Sequence, residues 1–292
     1  MGAPPQRPPS PPTFLKWAGG KAKLAPAILE RAPAQFGAYH EPFAGAASVF
    51  FAFHAAGRIT RPGKGRLTDA NPDLIECFTV VRDCVDDLLG ALDPLEAAYL
   101  PAGHDARASL YYETRADAPC DPVRRAARLI FLNRTCYNGL YRVNRRGQFN
   151  VPHGRYARPR ICDEPTLRAA SGALQGVELH AGDFAGACAL AEPGDFVYLD
   201  PPYHPLSRTA HFTAYTRDPF AHDEQLRLRD TFDALTARGV HAILSNSDHP
   251  AIRALYANRE LTLETVPMSR AINSKPTARA PIEELLVSNM PR

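Results

Sequence analysis

The stretch Asp195-Phe-Val-Tyr-Leu-Asp-Pro-Pro-Tyr203 decides the fold of this chain of 292 residues. Its apolar part, Phe196 to Leu199, predicts a buried strand, which an acid, two prolines and an aromatic residue end abruptly. Proline lacks a backbone N–H and cannot continue a sheet, so the chain must turn there. In a parallel α/β sheet such a turn lies at the carboxyl ends of the strands, where ligands bind. We therefore expect Asp200 to Tyr203 to line a crevice.

The four residues of this turn suit a planar group that carries an amine. The Asp200 carboxylate and the Pro201 carbonyl are acceptors for two N–H donors, Pro202 stiffens the turn, and Tyr203 offers a flat stacking face. The alternative is an Asp-Pro turn that merely ends a strand. The complete Asp-Pro-Pro-Tyr sequence directly after an apolar strand favours the pocket.

Composition and charge narrow the class of protein. The net charge is +3, but the segment from Arg124 to Arg160 contains ten arginines, no lysine and no acid. A basic block with aromatic and amide side chains between its arginines is typical of polyanion binding, with a solvated basic face as the alternative. The six cysteines contain no Cys-x-x-Cys pair, so we expect reduced thiols in the cytoplasm and no metal site. We expect no membrane span and no signal peptide.

Strands and helices are expected to alternate along most of the chain. We predict strands at Tyr39–Glu41, Arg66–Asp69, Val177–His180, Phe196–Leu199, Val240–Ser245, Leu261–Val266 and Glu284–Val287. We predict helices at Lys23–Arg31, Ala47–Ala56, from Pro72 onward, and at Leu167–Ala173, Asp223–Ala237 and Ala251–Ala257. This alternation predicts a mostly parallel sheet with helices on both faces.

An insert with a different composition interrupts this alternation. It reads as helical up to Asn133, including Val123–Leu132, and then becomes rich in Asn, Gly and aromatic residues. There, Asn144-Arg-Arg-Gly147 predicts a hairpin turn with a strand on either side. We expect a disordered proline-rich extension, a discontinuous main domain and a second, smaller domain, at residues 1–12, at 13–73 with 160–292, and at 74–159 respectively.

A cofactor site is expected where the first two strands end. Gly45, in Glu41-Pro-Phe-Ala-Gly-Ala-Ala-Ser48, lets the backbone approach a ligand closely. Neither a Gly-x-Gly-x-x-Gly fingerprint nor a Walker-type loop is present, so an adenosine ligand without phosphate fits better. Asp69 ends the second strand and could accept from ribose hydroxyls, unless it only caps a helix. Asp183 could accept from an adenine amino group with Phe184 on its ring, unless it lies in a plain turn.

Together these motifs resemble the Dam-like family of DNA adenine-N6 methyltransferases. The matching segments follow the order found in that family: Lys16-Trp-Ala-Gly-Gly-Lys21, Glu41-Pro-Phe-Ala-Gly45, Asp69-Ala-Asn71, Asn133 to Arg142, Phe149 to Tyr156, and Asp200-Pro-Pro-Tyr203. The similarity runs from Phe14 to Asn289. It implies a Rossmann-like sheet typical of methyltransferases that use S-adenosylmethionine (SAM), with an inserted target-recognition domain made of helices and a β-hairpin.

The resemblance also implies roles for individual residues. It implies catalysis by Asp200, Pro201, Pro202 and Tyr203, with Asp200 at the junction of cofactor and target base. It implies SAM binding by Trp17, Lys21, Phe43, Gly45, Asp69, Asp183, Phe184 and Asp200. It implies DNA contacts by Asn133, Arg134, Tyr137, Asn138, Leu140, Arg142, Asn144, Arg155 and Tyr156. One departure is Ala47, where the family often has glycine; its methyl group either displaces the cofactor slightly or is absorbed by the turn.

The implied reaction moves a methyl group from SAM to N6 of adenine in duplex DNA, after the base has flipped out. The hairpin is most similar to family members that methylate GATC. We expect S-adenosylhomocysteine as the product, no metal, and a bacterial-type cytoplasmic enzyme associated with the nucleoid. It would act alone or with a cognate restriction endonuclease as partner. Transfer to RNA or another amine, and an inactive DNA-binding regulator, stay open as alternatives.

Overall fold

A computed structural model describes residues 12–59, 64–144, 146–203, 220, 222–257, 259–268 and 282–291. The predicted extension, residues 1–12, lies outside this part of the chain except for Pro12. Seven strands form one sheet: β1 Tyr39–Glu41, β2 Gly65–Asp69, β3 Glu178–Ala181, β4 Phe196–Leu199, β5 His241–Ser247, β6 Thr262–Met268 and β7 Ile282–Ser288. Their order is β3-β2-β1-β4-β5-β7-β6, with β1 to β5 parallel and β7 antiparallel to both neighbours.

The described residues also form ten α-helices. They are α1 Ala25–Arg31, α2 Ser48–Ala55, α3 Pro72–Asp83, α4 Val85–Tyr99, α5 His104–Ala116, α6 Pro122–Thr135, α7 Glu164–Leu174, α8 Phe184–Ala189, α9 His222–Ala237 and α10 Pro250–Tyr256. None of these helices is long and apolar enough to span a membrane. The mostly parallel sheet with its helices confirms the expected Rossmann-like α/β class.

Local sequence explains where several of these elements begin. Proline occupies the first turn of α3, where a missing N–H costs nothing, and Asn71 caps that helix by accepting from the Asp73 N–H. Asp121 caps α6 in the same way. In the middle of the sheet, all four residues of β4 are fully buried. A strand covered on both faces is continuously apolar, which explains why it was visible in the sequence.

The predicted insert shares its core with the sheet. One cluster of buried residues includes Leu67 of β2, Phe78 of α3, Leu92 of α4 and Phe131 of α6. Helix α3 also crosses the predicted boundary at residue 73. The insert therefore packs directly on the main body, and the division into two domains stays a prediction.

Two local predictions were inaccurate. The strands expected on either side of the Asn144–Gly147 turn do not form a regular ladder; the described residues make isolated bridges, Val143 with Phe149 and Cys136 with His153. Helix α8 was not predicted at all, because its six residues are too few to show a helical period. The other predicted strands agree with the structure to within two residues at each end.

Candidate active site

The topology places three predicted site segments side by side. Strand β1 lies between β2 and β4, and the three strands are parallel. The turn containing Gly45, the acid Asp69 and the turn beginning at Asp200 follow or end these strands at the same edge of the sheet. The three segments expected to line a crevice therefore meet at one edge of the sheet.

Asp200 is held by two partners on one carboxylate oxygen. Oδ1 lies 2.9 Å from the Lys21 ammonium nitrogen and accepts a hydrogen bond of 3.0 Å from the Ser245 hydroxyl. The Tyr198 hydroxyl lies 2.8 Å from the Ser245 hydroxyl and extends this chain of hydrogen bonds into the sheet. Burial raises the pKa of Asp200, while Lys21 and Ser245 oppose that rise. The lysine therefore favours the charged form of Asp200 against the effect of burial.

The two prolines after Asp200 lie against helix α9 and strand β5. Pro201 is buried, and the Pro202 carbonyl accepts from the side-chain amide of Gln225 at 3.4 Å. Gln225 is fully buried and in turn accepts from Asn246 at 3.2 Å. The turn is therefore held by side chains that come from distant parts of the sequence.

Tyr203 is fixed at its edge and over its face. Its hydroxyl donates to Oε2 of Glu284 at 3.0 Å, and the Lys21 ammonium lies 4.4 Å from the ring centroid. Burial raises the pKa of Tyr203 well above its usual value, so the phenol keeps the proton that it donates. The sequence predicted a strand that begins at Glu284, but it did not indicate that this residue lies at the site.

In the turn after β1, the backbone of Gly45 lies close to Asp69 and to the Trp17 ring. The Gly45 N–H donates to Asp69 Oδ2 at 2.9 Å, while Asp69 Oδ1 accepts from the Asn71 N–H at 2.9 Å. Gly45 has φ of 48°, and a Cβ added there would lie 2.9 Å from the Trp17 ring. Ala47 also has a left-handed backbone, with φ of 51°, and its methyl group is fully buried in the core. The Ala47 methyl group therefore packs against the core, which favours its accommodation by the turn.

Glu41, at the end of β1, was missed as a functional candidate. It is buried, and its Oε2 accepts from the Tyr39 hydroxyl at 2.8 Å and from the Phe50 N–H at 3.0 Å. Because Ala47 offers no side-chain cap, this carboxyl satisfies an N–H in the first turn of α2. Burial raises the pKa of Glu41 to about 8.

The residues expected around an adenine ring already have partners. Asp183 caps α8 by accepting from the Ala185 N–H and forms a two-pronged ion pair with Arg227. Phe184 is buried and stacks on Phe43, with ring centroids 5.1 Å apart and an interplanar angle of 24°. The Arg227 guanidinium lies 4.7 Å from the Phe184 ring centroid. Phe43 and Phe184 therefore form an aromatic stack, and the neighbouring Asp183 carboxylate is ion-paired with Arg227.

Asn133, predicted from the sequence to contact DNA, is buried and bonded to main-chain groups of the protein. Its side chain is fully buried: Oδ1 accepts from the Lys16 N–H at 2.8 Å, and Nδ2 donates to the Lys16 carbonyl at 2.7 Å and the Gly139 carbonyl at 3.3 Å. The residue after Lys16, Trp17, stacks on Tyr141 with ring centroids 5.3 Å apart. Asn133 therefore ties the N-terminal segment to the hairpin, and we revise its role to a structural one.

Several other predicted DNA contacts lie on the surface of residues 137–156, called the hairpin here because they contain the Asn144–Gly147 turn. Tyr137 is 54 % exposed, and Asn138 has a left-handed backbone with φ of 56°. Arg142 is exposed, and its Nε donates to the Asn150 side chain at 2.7 Å, which orients the guanidinium. Arg155 is exposed as well. These side chains are available to a partner.

The remaining predicted hairpin residues are more enclosed. The Asn144 side chain closes the turn by accepting from the N–H groups of residues 146 and 148. Leu140 is half-buried, and the Tyr156 ring lies 3.7 Å below the Lys16 ammonium. Among the described residues, Nε of Arg134 is buried without a hydrogen-bond partner.

Two clefts that the sequence did not indicate flank the hairpin. One, of about 500 Å³, is lined by Tyr112, Arg115, Arg125, Arg128, Tyr141, Asn144 and Asn150, among others. The other, of about 440 Å³, is lined by Tyr99, His104, Arg107, His153, Arg155 and Tyr156, among others. Both contain arginine and tyrosine side chains, but the first is also lined by Asp73, Glu76 and Asp117, and its Arg125 is paired with Glu76. The described residues that line the second include no acid, so its arginine and tyrosine side chains suit nucleic acid better.

Comparison with known proteins decides the family. The model of the D12 class N6 adenine-specific DNA methyltransferases matches residues 17–269. The chain is a D12 class DNA methyltransferase. It transfers methyl groups to N6 of adenine in DNA, which favours this activity over the RNA and regulator alternatives, and membership in the family implies SAM as the methyl donor.

Curated relatives of this methyltransferase cover nearly the whole chain. The Type II methyltransferase M.MjaIII of Methanocaldococcus jannaschii is 40 % identical over 288 residues, covering 94 % of this chain and 98 % of the relative. The Type II methyltransferase M1.LlaDCHI of Lactococcus lactis is 36 % identical, covering 94 % of each chain. The DNA adenine methylase of Escherichia coli K12 is 35 % identical, covering 95 % of each.

Proposed function

We propose that Asp200 and the Pro201 carbonyl accept the two N6 hydrogens of a target adenine that has left the duplex, while Tyr203 stacks on its ring. The observation that carries this proposal is the anchoring of Asp200. Among the described residues, Lys21 and Ser245 both bind Oδ1, and the proposal assigns the second oxygen to the adenine amine. Gln225 holds the Pro202 carbonyl and Glu284 holds the Tyr203 hydroxyl, which supports a preorganised turn around the two acceptors.

The chemistry follows from the weak nucleophilicity of the adenine amine, whose lone pair is delocalised into the ring. Two hydrogen bonds from its hydrogens to Asp200 and Pro201 favour a more tetrahedral nitrogen, with the lone pair free for an in-line attack. SAM, when bound, would supply a methyl group on an activated sulfonium: the S–CH3 bond breaks as the N6–CH3 bond forms, the leaving group is a neutral thioether, and N6 then releases one proton to solvent. The protein contributes mainly position and electrostatics. Flipping the base costs a few kcal/mol, and stacking on Tyr203, about 1–3 kcal/mol, offsets much of it.

The donor and acceptor groups of the crevice match those of SAM. Carboxylates suit its hydroxyl, amine and amino groups, and an ammonium group suits its carboxylate. The residues that would hold it are Trp17, Lys21, Phe43, Gly45, Asp69, Asp183, Phe184 and Asp200. We propose that Trp17 and Lys21 lie near the methionine end and Asp69 at the ribose. Asp183 and Phe184 would meet the adenine, and S-adenosylhomocysteine would be the product.

DNA recognition is proposed for the hairpin and the helices beneath it, residues 74–159, with 13–73 and 160–292 as the catalytic part. The residues offered to DNA are Arg134, Tyr137, Asn138, Leu140, Arg142, Asn144, Arg155 and Tyr156. The exposure of Tyr137, Arg142 and Arg155 and the second of the two clefts support this surface. The proposed target sequence is GATC, from the resemblance of the hairpin.

The setting of the enzyme is proposed in the same way. We place it in the cytoplasm, on nucleoid DNA, without a metal cofactor. Two relatives are named Type II methyltransferases, so we propose a restriction endonuclease acting on the same site as a partner.

The proposed GATC target is tested on DNA from cells that express the protein. A plasmid recovered from these cells should resist nucleases that are blocked by adenine methylation in GATC. Modification-sensitive sequencing of the same DNA would place the methyl groups elsewhere if the target differs.

The catalytic proposal is tested with Asp200→Ala and Tyr203→Ala, using tritiated SAM and unmethylated duplex DNA. Asp200→Ala should bind DNA but lose methyl transfer, and Tyr203→Ala should lose most of the rate. Asp223→Ala, which removes an exposed acid in the first turn of α9, is the matched control and should keep the activity. Full activity of Asp200→Ala would exclude the proposed scheme.

A further inference from the structure

Strand β7 brings a distant acid to the catalytic turn. It runs antiparallel between β5 and β6, and in this register Glu284 lies opposite Ser247, the last residue of β5. The carboxyl end of β5 adjoins that of β4, which leads into Asp200. Glu284 therefore reaches the active-site edge from a strand that has the opposite direction to its neighbours.

Glu284 contacts the aromatic residue of the turn and none of its other members. Its Oε2 accepts from the Tyr203 hydroxyl at 3.0 Å, whereas Asp200 is held by Lys21 and Ser245. Burial raises the pKa of Glu284, and Lys21 and the Tyr203 hydrogen bond oppose that rise.

We propose that Glu284 is a positioning residue that fixes the ring plane of Tyr203 before the target base arrives. The proposal rests on the function proposed above, in which that ring stacks on the flipped adenine. A tyrosine held only through its backbone would lose rotational freedom each time a base bound to it. Glu284 holds the hydroxyl edge of the ring, and the Lys21 ammonium lies over one face, 4.4 Å from the ring centroid. The rotational freedom of the ring is therefore already lost when the protein folds. The base then meets a preset surface.

Three elements hold the turn through different side chains, although Lys21 and Ser245 each interact with both Asp200 and Tyr203. Ser245 of β5 orients Asp200, Gln225 of α9 orients the Pro202 carbonyl, and Glu284 of β7 orients Tyr203. Removing Glu284 should misplace Tyr203 and leave the other groups. Because a misplacement of about 1 Å can cost a hundredfold in rate, the loss should appear in the chemical step.

The test compares Glu284→Met, which removes the acceptor at similar length, with Glu284→Gln, which keeps an amide oxygen. Glu283→Gln is the control, since Glu283 is the exposed neighbour on the same strand. In single-turnover methylation of duplex DNA, Glu284→Met should be about 10-fold to 100-fold slower, with Kd for DNA nearly unchanged. Glu284→Gln should keep most of the rate. A wild-type rate in Glu284→Met would overturn the proposal.

A double-mutant cycle with Tyr203→Phe separates positioning from a general structural role. Tyr203→Phe keeps the ring and removes the hydroxyl, so it should be slowed about as much as Glu284→Met. Glu284→Met should then slow Tyr203→Phe little further. Full additivity of the two changes would overturn the proposal. A wild-type rate in Tyr203→Phe alone would also overturn it, and this outcome can be read even if Glu284→Met fails to fold. A wild-type rate in Tyr203→Ala would instead refute the proposed stacking of the target base on Tyr203, on which this inference rests.

Discussion

The ammonium nitrogen of Lys21 lies 2.9 Å from Oδ1 of Asp200, with side chains that are 6 % and 19 % exposed. The same ammonium lies 4.4 Å from the Tyr203 ring centroid. One cation therefore contacts both the first and the last residue of the catalytic turn. Enclosed charges are tolerated when they are paired, and loss of one partner leaves the other uncompensated.

Lys21→Met should change the pH dependence of methyl transfer. Burial raises the pKa of Asp200 and Lys21 opposes it, so removing the lysine should raise that pKa further. A larger fraction of Asp200 would then be protonated at a given pH, and the protonated carboxyl would lose acceptor capacity. The acidic limb of the rate profile should therefore move to higher pH in Lys21→Met, which a pH profile of kcat/KM for both proteins measures.

The control for this prediction is Lys23→Met, which removes an exposed lysine two positions away. Its pH profile should match that of the wild-type protein. A Lys21→Met profile with the wild-type shape, only scaled down, would mean that the lysine acts by contact with the cofactor and not through the charge of Asp200.

Arg142→Ala should relax sequence specificity at one base pair. The side chain is exposed, and its bond to Asn150 holds the guanidinium in one orientation, as reading a base edge requires. Loss of such a contact costs about 1–3 kcal/mol at the position that it reads. Methylation of substrates with every single-base change measures this, with the exposed Arg158→Ala as control. A uniform loss on all substrates, with a shallower salt dependence, would identify a phosphate contact.

Asn133→Ala should destabilise the protein without removing a DNA contact. The change leaves the Lys16 N–H and the carbonyls of Lys16 and Gly139 without their side-chain partner in a buried region. Each unsatisfied buried group costs about 1–3 kcal/mol. Urea unfolding should show a lower midpoint than in Arg124→Ala, an exposed change in the same helix, and equal midpoints would contradict the prediction.

The sequence revealed residues whose role depends on their neighbours along the chain. Asp200 to Tyr203 and Gly45 stand at strand ends, and a strand end is visible as an apolar run followed by turn residues. The parallel order of the strands then placed these segments together, as expected for this class of sheet. Ser245, Gln225 and Glu284 could not be found in this way, because their contacts depend on the register of β5 and β7 and the packing of α9.

Asn133 shows the converse limit. A motif match places it among DNA-binding residues, yet only the packing of α6 against the N-terminal segment shows that its amide is consumed by main-chain groups. The sequence pattern of an amphipathic helix is the same whether a polar residue at its end faces solvent or a neighbouring loop. The outcome depends on tertiary contacts that a local pattern does not contain.

Gly45→Ala and Gly90→Ala should change stability in opposite directions. At Gly45, φ is 48° and a new Cβ would lie 2.9 Å from Trp17, so the alanine is strained and pushes on the ring that borders the turn. Gly90 lies inside α4 with nothing within 4 Å of a new Cβ, so alanine there should stabilise by about 0.5–1 kcal/mol. Melting curves with and without SAM separate folding from binding, because a ligand at 100 times its Kd adds about 2.7 kcal/mol. Gly45→Ala should lose stability and also most of the SAM-dependent rise in Tm, whereas Gly90→Ala should keep that rise in full. An unchanged SAM response in Gly45→Ala would show that this turn does not border the cofactor.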